Sequence, residues 1–255
     1  MSWENTVIRT YSRACKWQME FADPTVACFL TRLHLNFLAL LRTHPRSMRH
    51  RIEMLNGVRC EWVWHDGDEA SPNVVAYLHG GGFMAGSPET HRSIAWRLAR
   101  ECGCRVLQID YRLSPTHAHP AQLHDVTAVL RALFETGVRS ECLALAGDSA
   151  GGNLALTAAL ACRDENLPLP AAILCFSPWT DLTHSGASLQ YNNSSEILIP
   201  RRLLDPIARF YFRDHDPQLG TVSPLFANLA GLPPLQLHVV AEELLRDDTE
   251  RFALQ

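Results

Sequence analysis

The chain has 255 residues, 47% hydrophobic and 20% charged, with a formal net charge of −4. That length and composition bury a large core and suit a single α/β domain. The acidic balance provides no basic surface for nucleic acid or anionic lipid and favours a small uncharged ligand over a polyanion.

Residues 1 to about 45 read as helical. Met1-Ser2-Trp3-Glu4-Asn5 lacks the basic-then-apolar order of a signal peptide. The most hydrophobic stretch, Val26 to Leu41, is short for a bilayer span and carries Arg32, His34 and Asn36. The expectation is therefore a cytoplasmic protein without stable membrane insertion. Leu30, Leu33, Phe37, Leu38 and Leu41 recur at spacings of three and four, which places them on one helical face. Core packing is the expected use of that face, with the helical pair positioned to cover a pocket mouth.

Val58 to His65 alternates as a strand with one wet face, and Asp66-Gly67-Asp68 turns it. Val74 to Leu78 is continuously apolar, as a central parallel strand covered on both faces should be. Val106 to Ile109, Cys142 to Ala146, Ala171 to Phe176 and Leu235 to Val240 are further strands. Between them, Ile94, Leu98 and Cys102 mark one helix, and Val126, Val129, Leu130, Leu133 and Phe134 mark another. Such alternation predicts a mostly parallel sheet whose loops at the strand C-termini bind ligand. The irregular insertion at about 185 to 218, with apolar and aromatic residues from Ile197 to Phe212, suits a lid over that edge.

The eight cysteines (15, 28, 60, 102, 104, 142, 162 and 175) show neither zinc-site spacing nor the density of a disulfide scaffold, and read as reduced core residues. His117, His119 and His124 fall on a loop and a helix start, and no metal is expected there.

Gly147-Asp148-Ser149-Ala150-Gly151-Gly152 stands between an apolar strand and a good helix former. Gly-x-Ser-x-Gly also occurs in plain turns, but the strand-to-helix context is that of a nucleophile elbow. A serine hydroxyl is a weak nucleophile and needs a base, an acid to orient the base, and donors for the oxyanion. His79-Gly80-Gly81-Gly82-Phe83 directly follows the strand at 74 to 78, where its backbone N–H groups are candidates for those donors. It lacks the Gly-Lys-Ser/Thr ending of a phosphate-binding loop.

Together with Asp110-Tyr111-Arg112-Leu113-Ser114-Pro115, these motifs resemble those of the hormone-sensitive-lipase-type carboxylesterases of the α/β-hydrolase superfamily. Further matches are His119-Pro120-Ala121 with Asp125, Ser177-Pro178-Trp179-Thr180-Asp181-Leu182, Ser223-Pro224-Leu225 and Gly231-Leu232-Pro233-Pro234, so the resemblance covers essentially the whole chain. It implies one α/β-hydrolase domain over residues 1–255, with a mostly parallel sheet flanked by helices and a helical cap from residues 1–45 and 185–218. It also implies Ser149 as nucleophile and the N–H groups of Gly81, Gly82 and Ala150 as oxyanion hole. The acid falls within Glu242 to Asp248; matching Leu245 and Asp247 to the family pattern puts it at Glu243, with Asp247 as the alternative. Ser114 stands where the family usually has alanine, and Thr116 where it usually has glutamate.

The resemblance places the base on a loop well beyond the acid, and none of the twelve histidines follows Glu243. His79 belongs to the oxyanion loop, where it is expected to hold backbone geometry, and His238 points from a core strand. The expectation is a truncated chain missing the last strand and helix of the fold, weakly active or inactive, with strand 235–240 as an unprotected sheet edge prone to aggregation. The expected function is hydrolysis of short- to medium-chain acyl esters through an acyl-enzyme. A small ester is the expected partner, no cofactor is implied, and a homodimer is left open. The alternative is a noncatalytic ligand-binding homologue.

Overall fold

The computed structural model describes residues 3–41 and 43–255, with side chains from Thr10 onward; residues 1, 2 and 42 of the expected cap segment lie outside the described residues. Its frame is a seven-stranded sheet in the order β1-β2-β4-β3-β5-β6-β7. The strands are β1 (Met48–Leu55), β2 (Val58–His65), β3 (Val74–Leu78), β4 (Arg105–Ile109), β5 (Leu143–Asp148), β6 (Ala172–Phe176) and β7 (Leu235–His238). β2 is antiparallel to both β1 and β4. From β4 to β7 every pairing is parallel.

Alternation along the central strands divides the core in two. Val74, Ala76 and Leu78 of β3 join Leu107, Leu143 and Leu145 in one layer, which packs on helices α4 (Ala121–Glu135) and α5 (Ala150–Asp164). Tyr77 of β3, Val63 and Val106 enter the other, against Ala95, Trp96 and Ala99 of α3 (Pro88–Cys102). Burial on both faces explains why these strands read as continuous apolar runs.

β1 is absent from the sequence expectation. Met-Arg-His-Arg-Ile-Glu-Met-Leu lies at the sheet edge with most side chains exposed, so its hydrophobic pattern is weak. The usable signal was the turn. Asn56-Gly57 joins β1 to β2 with φ of 45° and 82°, the left-handed pair that a two-residue hairpin requires.

Helices α1 (Trp3–Phe21) and α2 (Pro24–Leu41) form the N-terminal pair. The expected core face of α2 is corrected: Leu33, Phe37 and Leu41 are 52%, 51% and 64% exposed. The face turned inward carries Ala27, Cys28, Thr31, His34, Leu35 and Leu38. A helix apolar all round has no unique inward face, so docking decides it. Here Arg32 decides, its Nε donating to Met84 O at 2.5 Å and its Nη2 to Ser114 O at 2.7 Å. The helix has 18 residues and is, by length and composition alone, long and apolar enough to cross a membrane, which also corrects the expectation that this stretch is too short.

The insertion contains α6 (Ser188–Tyr191) and α7 (Arg201–Phe212). After β7 the chain ends in α8 (Arg246–Ala253). β7 stops at His238, two residues before the expected end, and is the outer strand of the described sheet. Leu235, Gln236 and His238 are exposed on it. His238 thus sits on an edge rather than a core strand, stacked on Phe176 at 5.6 Å between ring centroids. β7 is an exposed edge in the described sheet, as the resemblance implied.

Candidate active site

β5 ends at Asp148 and α5 begins at Ala150, leaving Ser149 alone on the elbow with φ 52° and ψ −120°. The elbow is clamped from both sides. Ser149 N donates to Phe176 O at 2.9 Å, and Ser149 O accepts from Trp179 N at 3.0 Å and Asn153 N at 3.1 Å. Crossing this tightly requires glycine at Gly151, where a Cβ would lie 2.0 Å from Leu78 O. Helix geometry leaves the first N–H groups of α5, that of Ala150 among them, without intrahelical acceptors.

The glycine loop is held against this elbow by Asp148. Its Oδ1 accepts from Gly80 N at 2.9 Å and from the Tyr77 hydroxyl at 2.7 Å, and His91 Nε2 lies 3.6 Å from its Oδ2. Burial pushes the Asp148 carboxyl up, but His91, Tyr77 and the Gly80 N–H together hold it below its ordinary value. Gly81 and Gly82 take φ of 124° and 62°. Among the described residues no backbone hydrogen bond takes up the Gly81 or Gly82 N–H.

His79 supports the loop from beneath, as expected. It is 2% exposed, stacks on Tyr111 at 4.3 Å between centroids, and its Nδ1 donates to Gly80 O at 2.9 Å. Burial, with His91 nearby, pushes its pKa down to about 4. His79 does not line the cavity of Ser149, and among the described residues no hydrogen bond joins the two, so its contacts are those of a support for the loop.

Ser149, the glycine loop and Glu243 line one cavity of about 400 Å³. Its walls are mostly apolar: Leu35 and Leu38 come from α2, and Leu203, Leu204 and Ile207 from α7. Both expected cap segments therefore contribute to it. Glu243 is half-buried; burial raises its pKa and a hydrogen bond from Ser177 opposes the rise. Asp247 is engaged elsewhere, its carboxylate accepting from Ser188 N at 2.9 Å and the Tyr191 hydroxyl at 2.9 Å. The two candidate acids thus have separate surroundings, and only Glu243 shares a cavity with Ser149.

His34 and His91 are the histidines lining the cavity, and among the described residues no hydrogen bond joins either to Ser149. His91 is held between Thr90 Oγ1, 2.8 Å from its Nδ1, and Asp148. His119 is buried, with Nδ1 3.2 Å from the Tyr211 hydroxyl and Nε2 3.3 Å from Thr221 Oγ1. The sequence reading missed Tyr77, His91 and the bridging role of Asp148. Asp148 was visible inside the serine motif, whereas His91 gave no signal, because only the fold carries α3 past the elbow.

A serine on a strained strand-to-helix turn, with a glycine loop held against it at one end of an apolar cavity, is the arrangement of the α/β-hydrolase scaffold. Comparison with known proteins bears this out: the family model for the alpha/beta hydrolase fold matches residues 75–255. An acetyl-hydrolase from Streptomyces hygroscopicus is 40% identical over 189 residues, 74% of this chain and 63% of that protein, so the match spans less than two thirds of that relative. An esterase from Acinetobacter venetianus is 34% identical over 217 residues, covering 84% of this chain and 71% of its own length. The crystal structure of an esterase from the bacterial hormone-sensitive lipase family superposes with a TM-score of 0.87 at 33% identity, over 96% of this chain and 82% of that one. The chain belongs to the hormone-sensitive-lipase-type carboxylesterases of the α/β-hydrolase superfamily.

Proposed function

We propose that this chain is a serine carboxylesterase of short- to medium-chain acyl esters, with Ser149 as nucleophile, Glu243 as the acid of the triad, and the N–H groups of Gly81, Gly82 and Ala150 as oxyanion hole. Ser149 Oγ attacks the ester carbonyl as its proton passes to water, the tetrahedral oxyanion is held by the three N–H groups, and collapse breaks the ester C–O bond to expel an alkoxide that takes up a proton and leaves as alcohol; water then cleaves the acyl-enzyme to the acid and free serine. The observation that carries this reading is the convergence of Ser149, the glycine loop and Glu243 on one apolar cavity. A volume of about 400 Å³ lies toward the small end of ligand sites, which favours a modest acyl group.

No histidine among the described residues is hydrogen-bonded to Ser149. These 255 residues by themselves should therefore turn over slowly, on what oxyanion binding and substrate positioning supply. The test is hydrolysis of a short-chain aryl ester by the chain and by Ser149→Ala. Slow turnover that the substitution abolishes is expected. Rates typical of an ordinary esterase would refute the missing-base part, and hydrolysis indifferent to Ser149→Ala would refute the serine mechanism.

A further inference from the structure

The outer face of α2 is built the wrong way round for water. At helical spacing, Val26, Phe29, Leu33, Phe37 and Leu40 form one stripe, and they are 50%, 65%, 52%, 51% and 85% exposed. Trp17 and Phe21 on α1, in edge contact at 5.5 Å, are 68% and 75% exposed. Seven large apolar side chains are thus exposed on one helical pair, and clustered exposure of this kind marks an interaction site.

From this face we propose that the α1–α2 pair is a membrane-docking surface, which lays α2 in the plane of a neutral phospholipid bilayer with its inner face, and the Ser149 cavity behind it, turned away from the lipid. The orientation follows from the other side of the helix. Thr31, His34, Leu35 and Leu38 line the cavity, and Arg32 is tied to Met84 O and Ser114 O. With that face committed to the protein, the helix lies on a bilayer and does not cross it.

Charge selects lipid over a protein partner. Arg32 is the only Asp, Glu, Lys or Arg residue from Pro24 to Leu41, and it points inward. The stripe therefore offers no charge to set a protein's register or complementarity, and protein–protein interfaces outside obligate assemblies are no more apolar than ordinary surface. Hydrocarbon demands no register, and aromatic residues such as Trp17, Phe29 and Phe37 are suited to the interfacial zone. On α1, Lys16 is tied to Asn193 O and Glu196 O and Glu20 faces Arg202, which among the described residues leaves Arg13 beside the patch, so binding through the α2 stripe should depend on apolar burial and change little with salt or anionic lipid. The choice of a bilayer also rests on the esterase reading, because an uncharged acyl ester concentrates in lipid and the same helix forms the wall of the cavity that would receive it.

The experiment floats the full chain with phosphatidylcholine vesicles at low and high salt, beside a Phe29→Ser, Leu33→Ser, Phe37→Ser variant. Sedimentation and thermal melting of both proteins without lipid show oligomeric state and folding, and hydrolysis of a soluble aryl ester reads the active site independently. The wild-type chain should float at both salt concentrations, and the folded variant should bind roughly tenfold or more weakly. Because these residues are exposed, the variant should retain the melting behaviour of the wild-type chain; Leu33→Asp provides a second, less extensive disruption of the stripe. Absence of flotation, equal flotation of the folded variants, or a wild-type dimer that they convert to monomer without vesicle binding would overturn the proposal. Flotation without Ser149-dependent hydrolysis would refute the esterase reading and leave the docking face standing.

Discussion

Ser149 is held at φ 52°, a conformation that costs a residue with a Cβ about 1–3 kcal/mol and persists only where its surroundings enforce it. Three backbone hydrogen bonds, to Phe176, Trp179 and Asn153, do so. Gly151 makes the crossing possible, so Gly151→Ala drives a methyl onto Leu78 O and should destabilise the fold by about 3 kcal/mol. Thermal melting should show a fall in Tm of roughly 6–12 °C for a domain of this size. An unchanged Tm would mean that the elbow has slack the geometry does not show. The glycine motif was legible in the sequence, because its spacing encodes the turn. The family pattern put the acid at Glu243 with Asp247, four residues on, as the alternative; the surroundings that separate them were not legible, since only the packing of α6 shows Asp247 occupied by Ser188 and Tyr191.

At the scale of elements, the strands and the cap differ in how they were readable. β2 and β3 have the bounds expected from their patterns, β3 because a strand covered on both faces is apolar throughout and β2 because its residues alternate, although Glu61 on the face expected to be wet is buried. α2 is equally apolar, yet its orientation was misread, because a helix without a polar face leaves its docking to a few directional contacts. Arg32 supplies two of them, to Met84 O beside the glycine loop and to Ser114 O. Arg32→Ala should therefore loosen the cap more than the sheet. Limited proteolysis should cut within residues 24–41 several-fold faster while Tm falls by only a few degrees. A large loss of Tm without faster cleavage would show that α2 is part of the global cooperative unit.

For the whole molecule, pH stability follows from buried titratable groups. Burial first, and neighbouring histidines second, push both His79 and His119 down to about 4. Unfolded, they would take up protons near pH 6.5. Between those values the unfolded state binds more protons, so their contribution is complete above about pH 6.5 and is lost as the pH falls toward 4, on the order of 3 kcal/mol for each. His184, also lowered by burial, acts in the same sense. Asp248 opposes them: burial and the nearby Asp181 raise its carboxyl, so the folded chain retains a proton that the unfolded chain releases. Asp110 and Glu243, also raised by burial, act with Asp248, but the two histidines held down to about 4 set the sign, and urea unfolding should show lower stability at about pH 5 than at about pH 7.5. His119→Gln should flatten that difference; a slope of opposite sign would show that Asp248 dominates.

By itself the sequence determined what is local or periodic: the parallel strands, the serine elbow, the glycine loop and the order in which they occur. Those features depend on burial across both sheet faces and on backbone conformations few residues tolerate, so they are written in residue type and spacing. Tertiary structure decided the exposed apolar face of α2, the Asp148 clamp with Tyr77 and His91, and which acid shares the cavity of Ser149. These depend on segments far apart in the chain meeting in space, where one directional contact outweighs local pattern.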